Sequence, residues 1–117
     1  LRGRFRLSGT DASDSGHYSQ LLEASGSSVS PYRYSSQTFA VFSGVDSTQS
    51  GGMQLHIYGP ALAQPTAFRS VSVYSNLSGR IFDSAGTHSV STAYDGLTIY
   101  PVSGNITGNV HVFGYEE

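Results

Sequence analysis

The chain has 117 residues and a mass of 12.4 kDa, enough for one domain with an ordinary core. Six arginines and no lysine stand against eight acidic residues; the net charge of −2 and pI near 6.0 exclude the clustered basic surface of a nucleic-acid binder. Cysteine is absent, which excludes disulfides, thiolate metal sites and thiol nucleophiles, and no apolar run approaches the ~18–20 residues of a membrane helix.

The hydrophobic period is two. Leu1, Phe5 and Leu7 alternate with Arg2, Arg4 and Arg6, predicting a half-buried strand over 1–7 with an arginine row outside. Gly3, on its inner side, marks a bulge or a close backbone approach. Residues 8–16 (SGTDASDSG) read as a loop. The stretch 18–24 is too short between Gly16 and Gly26 for an ordinary helix and reads as a strand, followed by a turn over 25–30. Pro31 opens an aromatic stretch, Tyr32-Arg33-Tyr34. A strand over 38–45 puts Phe39 and Val41 on one face, Ala40 and Phe42 on the other, and a loop over 46–52 follows.

Met53, Leu55 and Ile57 then alternate with Gln54, His56 and Tyr58 until Gly59-Pro60 ends the strand, and 61–66 reads as irregular. The strand 68–74 is read with Val71 and Val73 inward and Ser70, Ser72 and Tyr74 outward. A turn over 75–78, a short strand 80–82 and a second turn 83–86 lead to a strand 88–94 with Val90 and Thr92 on one face. Asp95-Gly96, a strong tight-turn dipeptide, leads into 97–100, which Pro101 stops. After a loop over 102–105, a last strand over 106–115 points Val110 and Val112 inward and His111 and Phe113 outward. Eight or nine short strands without a helix predict a single all-β domain, an antiparallel β-sandwich of jelly-roll-like form.

Chemistry is sparse. A zinc site needs three or four converging ligands, and His17, His56, His88 and His111 share no HxH or HxxxH spacing, so they read as surface histidines and no metal ligand is assigned. Asp11, Asp14, Asp46, Asp83 and Asp95 all fall in predicted loops, where the carboxylate caps backbone amides. The calcium-loop likeness of Asp11 and Asp14 lacks the terminal glutamate. Glu23 is the only glutamate away from the C-terminus, which leaves no carboxylate pair for glycoside hydrolysis. There is no GxSxG, P-loop or GxGxxG segment, so neither catalysis nor a cofactor is expected. Asn76-Leu77-Ser78 and Asn105-Ile106-Thr107 match the glycosylation sequon, relevant only in a eukaryotic secretory pathway.

Tyrosine is more informative. Tyr32, Tyr34, Tyr58, Tyr74 and Tyr100 fall on strands or strand ends, where they suit packing at sheet margins first, protein contacts second and sugar stacking third. A surface poor in charge and free of lysine suits coverage by neighbours, and Arg2, Arg4 and Arg6 suit pairing with another subunit or protection of a sheet edge. The candidate protein interface is therefore Arg2, Arg4, Arg6, Tyr32, Tyr34, Tyr58, Tyr74 and Tyr100.

The run TAYDGLTIYPVSGNITGNVHVFGY over 92–115 resembles the ending of a family of small tailed-phage virion proteins. These close with a strand, a P-x-S-G-N-I loop, here Pro101 to Ile106, and a strand ending V-x-V-F/Y-G, here Val110 to Gly114. The segments FRLSGTD over 5–11, YRY over 32–34 and GMQLHIYGP over 52–60 are similar to segments at corresponding places in the family. The resemblance implies a β-sandwich on the particle surface without catalytic residues. In the family a further strand precedes the one over 1–7 and is absent here, so the expectation is either a chain lacking an N-terminal segment of a longer protein or a neighbour that supplies that edge by strand addition. The expectation is a non-enzymatic capsid decoration (cement) protein, localised on the virion, touching capsid or tail subunits in a homo-oligomer, a trimer by preference. The alternative is a tail-fibre or carbohydrate/receptor-binding module, with a glycan as ligand. Neither nucleic acid nor a membrane is an expected partner.

Overall fold

The computed structural model describes residues 1–45, 49–74 and 79–115. They form nine strands: β1 (Arg2–Leu7), β2 (Thr10–Asp11), β3 (His17–Ser25), β4 (Ser28–Gln37), β5 (Ala40–Val41), β6 (Gly52–Tyr58), β7 (Thr66–Tyr74), β8 (Arg80–His88) and β9 (Gly96–Tyr100). All pairings are antiparallel, and no helix occurs among the described residues. One sheet runs β4-β3-β8-β7-β6. In the other, β9 lies along one side of β1, while β2 and β5 pair with the two ends of its other side. The expected antiparallel β-sandwich is therefore present.

Its core is Phe5, Ala40, Phe42, Phe68 and Tyr94, flanked by half-buried Met53, Leu55, Ile57, Leu97 and Ile99. Gly3 is the close approach that its sequence position suggests. A β-carbon there would lie 2.0 Å from the Phe42 ring, so the missing side chain is what lets that ring sit against β1.

The inner face of the larger sheet is unusual. Ser19, Ser70, Ser72 and Ser84 point inward, whereas Val71 and Val73 are 45% and 52% exposed. This inverts the expected phase of β7. Phe68 sets the phase, since the largest apolar side chain of the strand takes the core side and the period of two carries Ser70 and Ser72 with it. The serines then bond across the sandwich. Ser84 donates to the Val41 carbonyl (2.6 Å), the Val41 amide donates to Ser19 Oγ (3.2 Å), and the Ser43 and Ser72 hydroxyls lie 2.8 Å apart. The two-residue strand β5 is thus held by hydroxyls of the facing sheet as well as by its pairing with Arg2 and Gly3. Tyr74 follows the same phase. Instead of facing outward, it packs edge-on to Phe82 with ring centroids 6.2 Å apart, and its ring lies over Gly44.

Three further expectations are corrected. The predicted turn over 83–86 is the middle of the continuous strand β8, where Asp83 sits opposite Val71 and pairs with Arg69 (2.8 Å), so it is no loop aspartate. Residues 89–95 are irregular rather than a strand, because they cross from the end of β8 in one sheet to β9 in the other. The crossing is pinned where the Tyr94 amide donates to the Pro60 carbonyl (2.6 Å) and the Asp95 amide to the Arg6 carbonyl (2.9 Å). Asp95-Gly96 is not a hairpin turn; two-residue turns instead join β1 to β2 at Ser8-Gly9 (φ 50° and 80°) and β3 to β4 at Gly26-Ser27 (Gly26 φ 59°). Asp95 caps the first of these by accepting the Ser8 amide at 3.0 Å. The predicted loop over 8–16 therefore contains β2. The predicted turn over 75–78, with Asn76, and Asp46 to Thr48 of the 46–52 loop lie outside the described residues.

The last correction concerns 106–115. It pairs with no strand, and Val110, Val112 and Phe113 are 77%, 88% and 81% exposed. The alternation is real, but the described chain offers this segment no partner.

Candidate functional site

The eight interface candidates do not share one face. Arg2, Arg4 and Arg6 line the outer face of β1, and Tyr100 stands opposite Arg2 on β9. Each arginine is engaged within the chain. Arg2 lies over the Phe39 ring (3.7 Å), Arg4 donates to the Thr38 carbonyl (2.8 Å), and Arg6 pairs with Asp11 (3.2 Å) and reaches the Gly9 carbonyl. Asp11 also accepts from Thr98 Oγ1 (2.7 Å), so Asp11 and Asp14 have separate partners. Tyr58 is exposed at the outer margin of β6, far in sheet order from the exposed Tyr32 and Tyr34 on β4. Tyr74 is packed inside as described. Arg4 lies over the Tyr100 ring (5.5 Å), and Arg2, Tyr32 and Tyr34 come together on the walls of an open groove of about 300 Å³ between the sheets, with Leu21, Glu23 and Phe82 among its other walls.

A different cluster converges. β3 begins with His17 in its inward phase and β8 ends with His88 in its inward phase, and the antiparallel register sets them opposite one another. Both side chains are 0% exposed, and their ring centroids are 4.1 Å apart. This overturns the reading of these two as surface histidines; His56 is half-buried on β6 and His111 is exposed outside any strand. Phe5 lies beneath the pair, stacked on His17 with an interplanar angle of 6° at 6.1 Å and 5.8 Å from His88.

His88 is held at both ring nitrogens. Nε2 faces the Asp14 carboxylate at 2.9 and 3.1 Å, and Nδ1 faces Tyr94 Oη at 2.9 Å. A carboxylate only accepts, so Nε2 carries a proton toward Asp14, and in the neutral ring Tyr94 donates to Nδ1. Asp14 is fixed in turn by the Gly16 amide (2.8 Å). Burial alone would raise the Asp14 carboxyl, but the His88 hydrogen bond and the Gly16 amide outweigh it and hold the group below its usual range.

His17 is the anomaly. Both ring nitrogens are buried and neither meets a partner at full hydrogen-bond geometry, although the backbone of Gln37 and Asp14 lies close enough to interact with the ring. Desolvation, then the neighbouring His88, push its pKa down to about 4; Asp14 and the nearby backbone of Gln37 and Asp14 offset this only partly. The ring is therefore neutral at pH 7. A buried, unsatisfied polar group costs ~1–3 kcal/mol, so His17 is held at a cost that packing alone does not explain. Asp14, His17 and His88 each bring a ligand-type atom to within 4.8 Å of the others, and Asp14 is the member that reaches solvent.

Motif spacing could not reveal this cluster, because strand register rather than local sequence joins its members. The available signal was phase: Phe82, Ser84, Gly86 and His88 alternate along one unbroken strand, as His17, Ser19 and Leu21 do along another. No family model matches the chain, and no curated protein or solved structure matches it.

Proposed function

We propose that the chain is a non-enzymatic structural module of a tailed-phage particle surface, a capsid decoration protein that assembles with copies of itself by strand exchange. The observation carrying this reading is the segment 106–115. It has strand alternation, a row of exposed apolar side chains and no partner among the described residues. The virion setting rests on the resemblance of its sequence to phage proteins.

The recipient is the free edge of β6 in a second copy. Its sequence, GMQLHIY, has no proline, lysine, arginine or acidic residue to guard an edge. Met53, Leu55 and Ile57 pack against the core yet stay half-buried, because no strand lies beyond β6 in its sheet among the described residues. Val110 and Val112 share their spacing and would extend that row, with main-chain hydrogen bonds supplying the rest. The opposite edge, β4, is guarded by Pro31, Arg33 and a left-handed Ser36 (φ 53°). Reciprocal exchange closes a dimer and cyclic exchange a trimer.

Sedimentation velocity tests the assembly. The wild-type chain is expected to sediment as an oligomer and the Val112→Asp variant as a folded monomer. A wild-type monomer, or an unchanged variant oligomer, overturns strand exchange. Immunogold labelling of particles from the source lysate tests the setting. Gold over the head supports decoration; an unlabelled particle with a demonstrably accessible epitope overturns it.

The second reading, a carbohydrate- or receptor-binding module of a tail fibre, is favoured by the groove, where Tyr32 and Tyr34 stand beside Arg2 and Glu23. Gold at the tail end and glycan-array binding abolished by Tyr34→Ala would establish it in place of decoration.

A further inference from the structure

The geometry points to Asp14, His17 and His88 as a binding site for one divalent first-row transition ion of the zinc type, with at least one coordination position left to water or an external ligand. This inference is independent of the assembly reading, since all three ligands belong to one chain.

Several observations support it. His17 presents two buried nitrogens that no group meets at full hydrogen-bond geometry; the neutral ring carries one proton, so its other nitrogen keeps a lone pair that a cation would satisfy. The three ligand-type atoms already lie within 4.8 Å of one another. Around a tetrahedral zinc ion with bonds of ~2.0–2.1 Å they would stand about 3.4 Å apart, a contraction that small torsional changes of Asp14 and His17 can deliver. Two imidazoles and one carboxylate select zinc, cobalt, nickel or iron over calcium and magnesium, which require oxygen ligands. The supporting shell is present as well: the Gly16 amide fixes Asp14, Phe5 backs both rings, and Tyr94 Oη holds the far nitrogen of His88.

Binding has a defined proton consequence. Without the ion, His88 carries its proton on Nε2, toward Asp14, and accepts from Tyr94 at Nδ1. With the ion on Nε2, that proton moves to Nδ1, and Tyr94 Oη turns from donor to acceptor. Asp14 exchanges a hydrogen bond for a metal bond. The partly exposed Asp14 leaves the solvent side of the ion open, while Phe5 closes the other.

The test is calorimetric titration of the purified chain with Zn²⁺ alone, paired with Co²⁺ absorption to report geometry and imidazole ¹⁵N NMR to report the His88 tautomer. Wild type is expected to bind one ion per chain and to move the His88 proton from Nε2 to Nδ1. Asp14→Asn, which replaces a solvent-reaching side chain and whose fold circular dichroism verifies, is expected to weaken binding about a hundredfold or more. Tyr94→Phe is expected to weaken it about tenfold or more, the effect of losing an outer-shell partner. A double variant His56→Gln/His111→Gln is expected to bind as wild type. Absence of stoichiometric binding, equal binding by Asp14→Asn, or loss of binding in the His56/His111 variant overturns the assignment.

Discussion

His17 and His88 stand directly opposite one another on neighbouring antiparallel strands, and of the two only His88 meets side-chain partners at both ring nitrogens. The asymmetry makes their substitutions differ in sign. His88→Ala removes the ring that joins Asp14 to Tyr94, opens a cavity over Phe5 and takes away the His88 partner of the Tyr94 hydroxyl. It is expected to cost about 2–4 kcal/mol. His17→Leu removes two nitrogens that meet no partner at full hydrogen-bond geometry, at similar volume, and in metal-free buffer it is expected to match or exceed wild-type stability by up to about 1 kcal/mol. Urea denaturation in the presence of a chelator checks both, and a His17→Leu variant markedly less stable than wild type would contradict the account of that ring.

The interior serines divide in the same way. Ser84 Oγ serves the Val41 carbonyl, whereas Ser70 Oγ is buried without a partner. Ser84→Ala is expected to lose about 1–2 kcal/mol, and Ser70→Ala to be neutral or slightly stabilising. Equal losses in thermal or chemical melts would refute the cross-sheet role of Ser84.

Gly3→Ala tests the packing of β1 on Phe42. The Phe42 ring is fully buried and cannot swing into solvent, so the added methyl forces strand and ring apart, at about 2–3 kcal/mol. A Gly3→Ala/Phe42→Leu double variant is expected to recover part of that loss. Failure to recover would place the strain elsewhere.

Strand exchange predicts a concentration dependence within the tail. Amide protons over 106–115 are expected to exchange with solvent slowly in concentrated samples and rapidly in dilute ones, while those of β3 and β8 stay slow in both. Protection of the tail that does not change with dilution would argue against pairing between chains.

Where apolar residues alternate with charged or polar ones, as in Met53-Gln54-Leu55-His56-Ile57, both strand and phase were legible. β7 was not, because hydrophobicity ranks valine above serine while the cross-sheet hydrogen bonds reward serine on the inside. β8 was hidden by the turn-like composition of Asp83-Ser84-Ala85-Gly86. In the fold Asp83 belongs to a cross-strand ion pair, and Gly86 clears space for the Phe68 ring and the Tyr18 carbonyl. The tail illustrates a third limit, since alternation announces a strand without stating where its partner lies. The histidine cluster depends on register between distant strands, which local patterns do not encode.

The hydroxyl-lined interior has a thermal consequence. Unfolding exposes apolar surface at Phe5, Phe42, Phe68 and Phe82, but Ser19, Ser43, Ser70, Ser72 and Ser84 emerge alongside as polar surface. Apolar exposure raises the heat capacity of the unfolded chain and polar exposure lowers it, so the increment per residue should fall below the usual ~12–15 cal/mol/K. A smaller increment flattens the curve of stability against temperature, so the sandwich should change little in stability between cold and warm surroundings.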